Sequence, residues 1–177
     1  MAKVAVVFHS GYGHTQRVAE FGAEGAQADL IAIDANGDIS ESDWDVLDAA
    51  DAIIFGSPTY MGMVSWQFKK FADVSSKRWF AGAWRDKLAG GFTISGSPSG
   101  DKLSTLQAMM TLAMQHGMVW VGQPERPNGD VNRLGSYSGL MAQVGPMSPA
   151  ADIPQEDLDL ARAYGARVQT WAQRLKA

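Results

Sequence analysis

The stretch Lys3-Val-Ala-Val-Val-Phe-His-Ser-Gly-Tyr-Gly-His-Thr15 decides the fold. Lys3 to Phe8 is a β-branched and apolar run that stops at His9-Ser10-Gly11-Tyr12-Gly13, after which Val18, Ala19, Phe21 and Gly22 recur at helical spacing. Strand, glycine turn and helix follow one another without a linker. Working outward, Asp29 to Asp34 reads as a second strand, Asn36-Gly37 as a turn, and Ser42 as the cap of a short helix through Ala50. Ala52 to Phe55 is apolar on both faces, as a central parallel strand must be when helices cover it from two sides. It runs into Gly56-Ser57-Pro58-Thr59-Tyr60.

The spacing predicts a helix over 64–77, with Trp66, Phe68 and Phe71 as buried positions, then a fourth strand over 88–95 ending in Gly96-Ser97-Pro98-Ser99-Gly100. A helix over 102–116 and a fifth strand over 118–121 follow, with Met109, Met110 and Met114 as core filling. Residues 122–154 are rich in Gly, Pro, Asn and Ser and too long for a plain connection, with an extended piece near 140–144 that returns to the sheet. The closing helix places Leu158, Ala161, Tyr164, Val168, Trp171, Ala172 and Leu175 on one stripe. Strands alternating with helices, without repeats, give an α/β fold: one domain over 1–177, a doubly wound parallel sheet of five strands with helices on both faces.

Composition narrows the function classes. A chain of 177 residues, 46% hydrophobic, is long enough for a core that needs no staples. The absence of cysteine removes disulfides, thiolate metal sites and cysteine nucleophiles, and fits a reducing compartment. A net charge of -4 without a basic stripe argues against nucleic acid as a partner. No run approaches the roughly 18 apolar residues of a membrane span, and the opening residues lead straight into a strand, so the expectation is a cytoplasmic protein with no leader and no membrane partner.

In such sheets, ligands bind beyond the carboxyl ends of the strands, where the strand order reverses. Glycine and hydroxyl residues cluster after strands one, three and four, so three loops converge on one site. The first, Ser10-Gly11-Tyr12-Gly13-His14-Thr15, joins a strand to a helix start, where free N–H groups and the helix dipole attract an anion and two hydroxyls add donors. A phosphate monoester suits it; the alternative is that these residues merely turn the chain. His14 is either a partner of the phosphate or a solvated first-turn residue. The Lys-Ser/Thr pair of a nucleoside triphosphatase is replaced by His14-Thr15, and the dinucleotide fingerprint lacks its third glycine at Gln16, although Asp34 stands about where a ribose acid would.

The second loop, Pro58, Thr59, Tyr60, Met61 and Gly62, and the third, Ser95 to Gly100, offer small donors, backbone amides, an aromatic and a thioether. That lining suits a flat neutral heterocycle. Phosphate at one end and a planar ring at the other describe a mononucleotide, and FMN fits best. His9, His14 and His116 lack the carboxylate or thiolate partners a metal site needs, so no metal is expected.

The motifs Ser10-Gly-Tyr-Gly-His-Thr15, Gly56-Ser-Pro-Thr-Tyr-Met-Gly62, Ser95-Gly-Ser-Pro-Ser-Gly100 and Leu112-Ala-Met-Gln-His-Gly-Met118, in that order, resemble those of the flavodoxin-like NAD(P)H:quinone oxidoreductases of the WrbA type. The resemblance runs nearly end to end. It implies a flavodoxin-like strand order 2-1-3-4-5 and FMN as cofactor. The three loops (Ser10, Gly11, Tyr12, Gly13, His14, Thr15; Pro58, Thr59, Tyr60, Met61, Gly62; Ser95, Gly96, Ser97, Pro98, Ser99, Gly100) would hold it. It further implies NADH or NADPH as co-substrate, a quinone as acceptor, His116 near the ring or quinone as the catalytic side chain, Trp79 reaching a neighbouring subunit's flavin, and a homotetramer or homodimer. The residues themselves leave His116 open, since a histidine before Gly117 also satisfies helix-end carbonyls. The other function these features allow is a flavodoxin-type single-electron carrier.

Overall fold

The computed structural model describes residues 1–176. Five parallel positions form the sheet, in the order β2 (Asp29–Ile33), β1 (Val4–His9), β3 (Ala52–Tyr60), β5 (Leu88–Ser95) and β6 (Val119–Trp120). β4 (Met63–Val64) only folds back on the end of β3 as a hairpin, so setting it aside leaves the expected doubly wound order. The fifth position is shared. β6 pairs with Leu88 and Ala89 at the start of β5, the chain leaves the sheet, and β7 (Leu140–Gln143) returns beside Phe92 to Ser95. The extended piece near 140 is therefore a strand.

Alternation along the strands divides the core into two layers. Val4, Val6 and Phe8 of β1 face α1 (His14–Ala26) and α6 (Gln155–Lys176), where they join Val18, Ala19, Leu158, Ala161, Tyr164 and Val168. Ala5 and Val7 face the opposite way, onto Trp44 and Leu47 of α2 (Glu41–Ala49), Phe68 and Phe71 of α3 (Trp66–Val74), and Leu106 and Met109 of α5 (Lys102–Gln115). Trp44, Phe71 and Trp84 stack at 5.0–6.4 Å, and Phe55 meets Phe68 edge-on.

Several local expectations change. The cap of α2 is Ser40, not Ser42: its hydroxyl accepts from the Asp43 N–H while the Asp43 carboxylate accepts from the Ser40 N–H, a reciprocal capping box. The helix expected over 64–77 breaks at Ser75, whose hydroxyl donates to Ala72 O, and a short α4 (Ser76–Ala81) continues from it. Trp66 is 61% exposed, because as the first residue of α3 it precedes the turn that meets the sheet. Met114, Trp171 and Leu175 also face outward, at the margins of stripes otherwise buried. Among the described residues, no helix is long and apolar enough to cross a membrane.

α1 and α6 pack with backbone against backbone. A Cβ on Gly165 would lie 2.0 Å from Gly22 O, and one on Gly25 would lie 1.9 Å from Arg162 O. At Gly22 the nearest atom to such a Cβ is 3.8 Å away. Urea denaturation should therefore separate two changes of the same chemistry. Gly165→Ala forces the helices apart and should lower stability by about 1–3 kcal/mol, while Gly22→Ala should be neutral or raise it by up to about 1 kcal/mol through helix propensity.

Candidate functional site

The order of the sheet reverses at β1, since the chain passes first to β2 on one side and then to β3 on the other. A cleft of about 210 Å³ opens there, beyond the carboxyl ends of β1, β3 and β5. It is lined by Tyr12, His14 and Thr15 from the first loop, Pro58, Thr59 and Tyr60 from the end of β3, Ile94, Ser95 and Gly96 from the end of β5, and Val144, Gly145 and Pro146 after β7. Three of the expected loops do converge. The fourth wall was not anticipated, although a run of extended residues followed by Gly145-Pro146 could have signalled it.

Gly13, at φ 85°, occupies the left-handed region, which glycine enters without strain, and turns the chain into α1. The first backbone bond of the helix is Arg17 N–H to Gly13 O, so the amides of its opening turn point outward unpaired within the helix. In the same loop Ser10, Gly11 and Gly13 lie off the lining of the cleft, and Ser10 Oγ is buried and, among the described residues, has no hydrogen-bond partner. A buried hydroxyl left unmet is costly. Together these groups fit the phosphate end of a mononucleotide. His14 is placed differently from expectation: its Nε2 donates to Ser148 O at 2.7 Å and ties the first loop to the segment after β7.

Tyr12 and Tyr60 meet edge-to-face at 6.4 Å across the mouth. The approach is close enough that a Cβ on Gly11 would stand 2.6 Å from the Tyr60 hydroxyl oxygen. Burial, and then the neighbouring Tyr12, push the Tyr60 phenol above its ordinary value. Thr59 lines the cleft, but its hydroxyl turns inward to Thr93 (2.8 Å) and Thr105 (2.7 Å), which locks the end of β3 to β5 and α5.

The third loop divides. Ser95 and Gly96 line the cleft, whereas Ser97, Pro98 and Ser99 are exposed and Gly100 lies off the lining. Met61 and Gly62 do not reach the lining either. With φ of 49° and 76° they form the two-residue turn between β3 and β4, and Met61 is fully exposed. The loop wraps around Lys102, which the sequence reading passed over. Its Nζ donates to Ser95 Oγ, Ser97 O and Pro98 O at 2.7–2.9 Å.

His116 is not brought to the cleft of its own chain. It ends α5 at the opposite edge of the sheet, buried, with Nε2 2.9 Å from Ser75 Oγ and its ring 4.3 Å from that of Trp84. α5 begins at the cleft and spans fourteen residues, so its two ends lie about 20 Å apart at the usual rise. The His116 side chain meets no helix-end carbonyl either: burial lowers its pKa, its Nδ1 has no partner among the described residues, and only its backbone N–H caps the helix. Trp79 is exposed on α4, also away from the cleft. Asp34 accepts the N–H groups of Asn36 and Asp38 and closes its own turn. Among the described residues, no three His, Asp or Glu side chains gather as metal ligands.

The family model for NADPH-dependent FMN reductases matches residues 44–129. Flavodoxin FldP of Pseudomonas aeruginosa is 50% identical, with the whole of both chains aligned. An NAD(P)H dehydrogenase (quinone) of Archaeoglobus fulgidus is 30% identical across 99% of this chain and 100% of its own. The crystal structure of a flavodoxin, WrbA-like protein from Agrobacterium tumefaciens superposes with a TM-score of 0.84 at 52% identity, covering 98% of this chain and 99% of that one.

Two outcomes follow from the site. Ser10→Ala removes a hydroxyl that bonds nothing else, so isothermal titration with FMN should show binding weakened about tenfold, the cost of one bond to a charged group, while the urea midpoint holds. For His116 and His9, burial depresses the folded pKa below the unfolded value of about 6.5. Their contribution to stability is present above that pH and is lost as pH falls through the folded pKa. Urea midpoints should therefore drop between pH 7.5 and 5.5, and His116→Gln should shrink that drop.

Proposed function

The chain belongs to the flavodoxin-like FMN proteins of the WrbA type, and from that membership we propose that it is an FMN-dependent NAD(P)H:quinone oxidoreductase. FMN is the cofactor and a nicotinamide nucleotide the co-substrate of this family. The observation that carries the reading is the buried, unpartnered Ser10 hydroxyl in the loop that opens α1, a loop whose Tyr12, His14 and Thr15 line a cleft without a carboxylate.

Bound FMN would supply the hydride acceptor for the nicotinamide and the two-electron donor for the quinone. The chain binds, orients and shields. Ser10 Oγ and the first-turn amides of α1 would hold the phosphate, with Gly11 and Gly13 giving the backbone its close approach. Tyr12 and Tyr60 would cover the ring, and the backbone of Ser95 and Gly96 would meet its polar edge, with Thr59 fixed between them by Thr93 and Thr105. N–H groups aimed at that edge favour the negative charge that reduction brings. Tyr12, 79% exposed, borders the open side, through which nicotinamide and quinone would enter in turn. The quinol's protons would come from water or from the Tyr12, His14 and Tyr60 side chains of the lining rather than from His116.

The name of the Pseudomonas relative favours a second reading, a flavodoxin that carries single electrons between proteins. Such carriers dock through acidic faces, whereas this cleft has no carboxylate in its lining and Tyr12 and Tyr60 at its mouth, which supports access by small substrates. The exposed Trp79 and Phe80 of α4 support assembly as a homodimer or homotetramer in which Trp79 reaches a neighbouring copy's cleft, and the cysteine-free composition supports a cytoplasmic setting. Steady-state oxidation of NADH and NADPH with benzoquinone tests the proposal on FMN-loaded protein. Turnover with at least one nucleotide is expected. No turnover with either, together with reduction by a ferredoxin reductase, would leave the carrier reading.

A further inference from the structure

Lys102 is 1% exposed, yet it carries an ammonium at the first position of α5. Both circumstances are unfavourable. Burial strips the cation of water, and the N-terminal end of a helix is the end that repels positive charge. Three acceptors offset this, one for each ammonium hydrogen: Ser95 Oγ at 2.7 Å, Ser97 O at 2.9 Å and Pro98 O at 2.8 Å. All three belong to the loop that contributes Ser95 and Gly96 to the cleft. Ser95 Oγ in turn donates to Ser97 O, so the loop closes on itself around the ammonium.

The charged groups that act on Lys102 from neighbouring elements are Asp157 of α6 and Arg133 of the β6–β7 connection, and they oppose one another. Asp157 is already engaged: Arg133 donates to both of its carboxylate oxygens at 2.6 and 2.8 Å, and Gln143 N–H donates to it at 3.0 Å. Asp101, preceding Lys102, is exposed. None of the ammonium's hydrogen bonds goes to a carboxylate, so its charge is not neutralised in contact. Gln143 completes the support from the other side, its Nε2 donating to Gly96 O at 2.9 Å.

We infer that Lys102 is a positioning residue of the flavin cleft: its buried ammonium sets the shape of the Ser95–Gly100 loop and fixes a positive charge behind that wall, favouring flavin in its reduced, anionic form. The inference rests on the FMN reading above and adds to it a residue that does not touch the cofactor. Burial lowers the ammonium's pKa to about 8, so the charge can be removed by pH as well as by substitution. Above that pH the amine also keeps one hydrogen fewer for three acceptors.

The test uses the full chain, with riboflavin as probe because it has no phosphate to titrate, and with FMN for anaerobic potentiometry. Fluorescence quenching at pH 6.5 should show Lys102→Met binding riboflavin on the order of tenfold more weakly than the wild type. Between pH 6.5 and pH 9 the wild type should lose affinity while Lys102→Met stays level. The midpoint potential of bound FMN at pH 6.5 should be lower in Lys102→Met, and the two potentials should converge by pH 9. Lys102→Arg keeps the charge but not the compact three-way donor geometry, so it should retain the potential better than the affinity. Equal affinity and equal potential in Lys102→Met and wild type at pH 6.5 would overturn the inference and leave the cofactor assignment standing. Wild-type protein that quenches neither flavin would remove the cofactor assignment and this inference with it. If Lys102→Met does not fold, the wild type alone decides, and a riboflavin affinity unchanged from pH 6.5 to 9 overturns the inference.

Discussion

Every side chain of β1, and nearly every one of β3 and β5, is buried, because helices cover the sheet on both faces. A strand enclosed in this way has no place for polar chemistry along its length. Polar groups are therefore displaced to the carboxyl edge, where the strands run out into loops and α1 and α5 begin. The cleft is a consequence of that enclosure. Its donors are hydroxyls and amides because these can stand beside an apolar core without the cost of burying charge.

Lys102 is the exception, and the cost of its burial is visible in the way the surroundings are arranged. The loop supplies one oxygen for each hydrogen, while the neighbouring Asp157 is held by Arg133 and Gln143 rather than by the lysine. The threonine trio of Thr59, Thr93 and Thr105 does comparable work without charge, joining the ends of two strands to α5. Tyr164 does so on the other face of the sheet, donating to Val121 O and accepting from Gly91 N–H. Lys102, Thr93 and Thr105 thus hold the lining of the cleft from behind without entering it.

The doubly wound parallel sheet and the meeting of three loops were legible because they depend on local signals, namely apolar runs of strand length, glycines at their ends and helical spacing afterwards, whereas the strand order came from the resemblance of the motifs. What could not be read depends on contacts between distant residues. Whether Met61 faces the cleft or a turn is decided by the hairpin that β4 makes with β3, and a two-residue strand leaves almost no pattern. His116 stands in a motif that resembles a family's catalytic region, but the length and direction of α5 carry it to the far edge of the sheet. Lys102 stood only as the first residue of an expected helix, since sequence does not reveal that a loop will fold over it. The extended piece near 140 was legible as a return to the sheet, but its partner was not, and it is the pairing of β7 with the end of β5 that sets Val144 to Pro146 at the cleft.

The fifth sheet position is occupied by two short strands with an excursion between them. Because β6 and β7 are each anchored separately to β5, the intervening residues are connected to the sheet at both ends but are not part of it. Loop-closure entropy rises by only about 0.6 kcal/mol for each doubling of length. The exposed stretch 126–131 can consequently be lengthened or exchanged at small thermodynamic cost, while Asn132, Arg133 and Ser136 stay hydrogen-bonded to the body of the protein and Gly145 and Pro146 keep their station at the cleft. The architecture separates a region free to diverge in evolution from one that must stay in register.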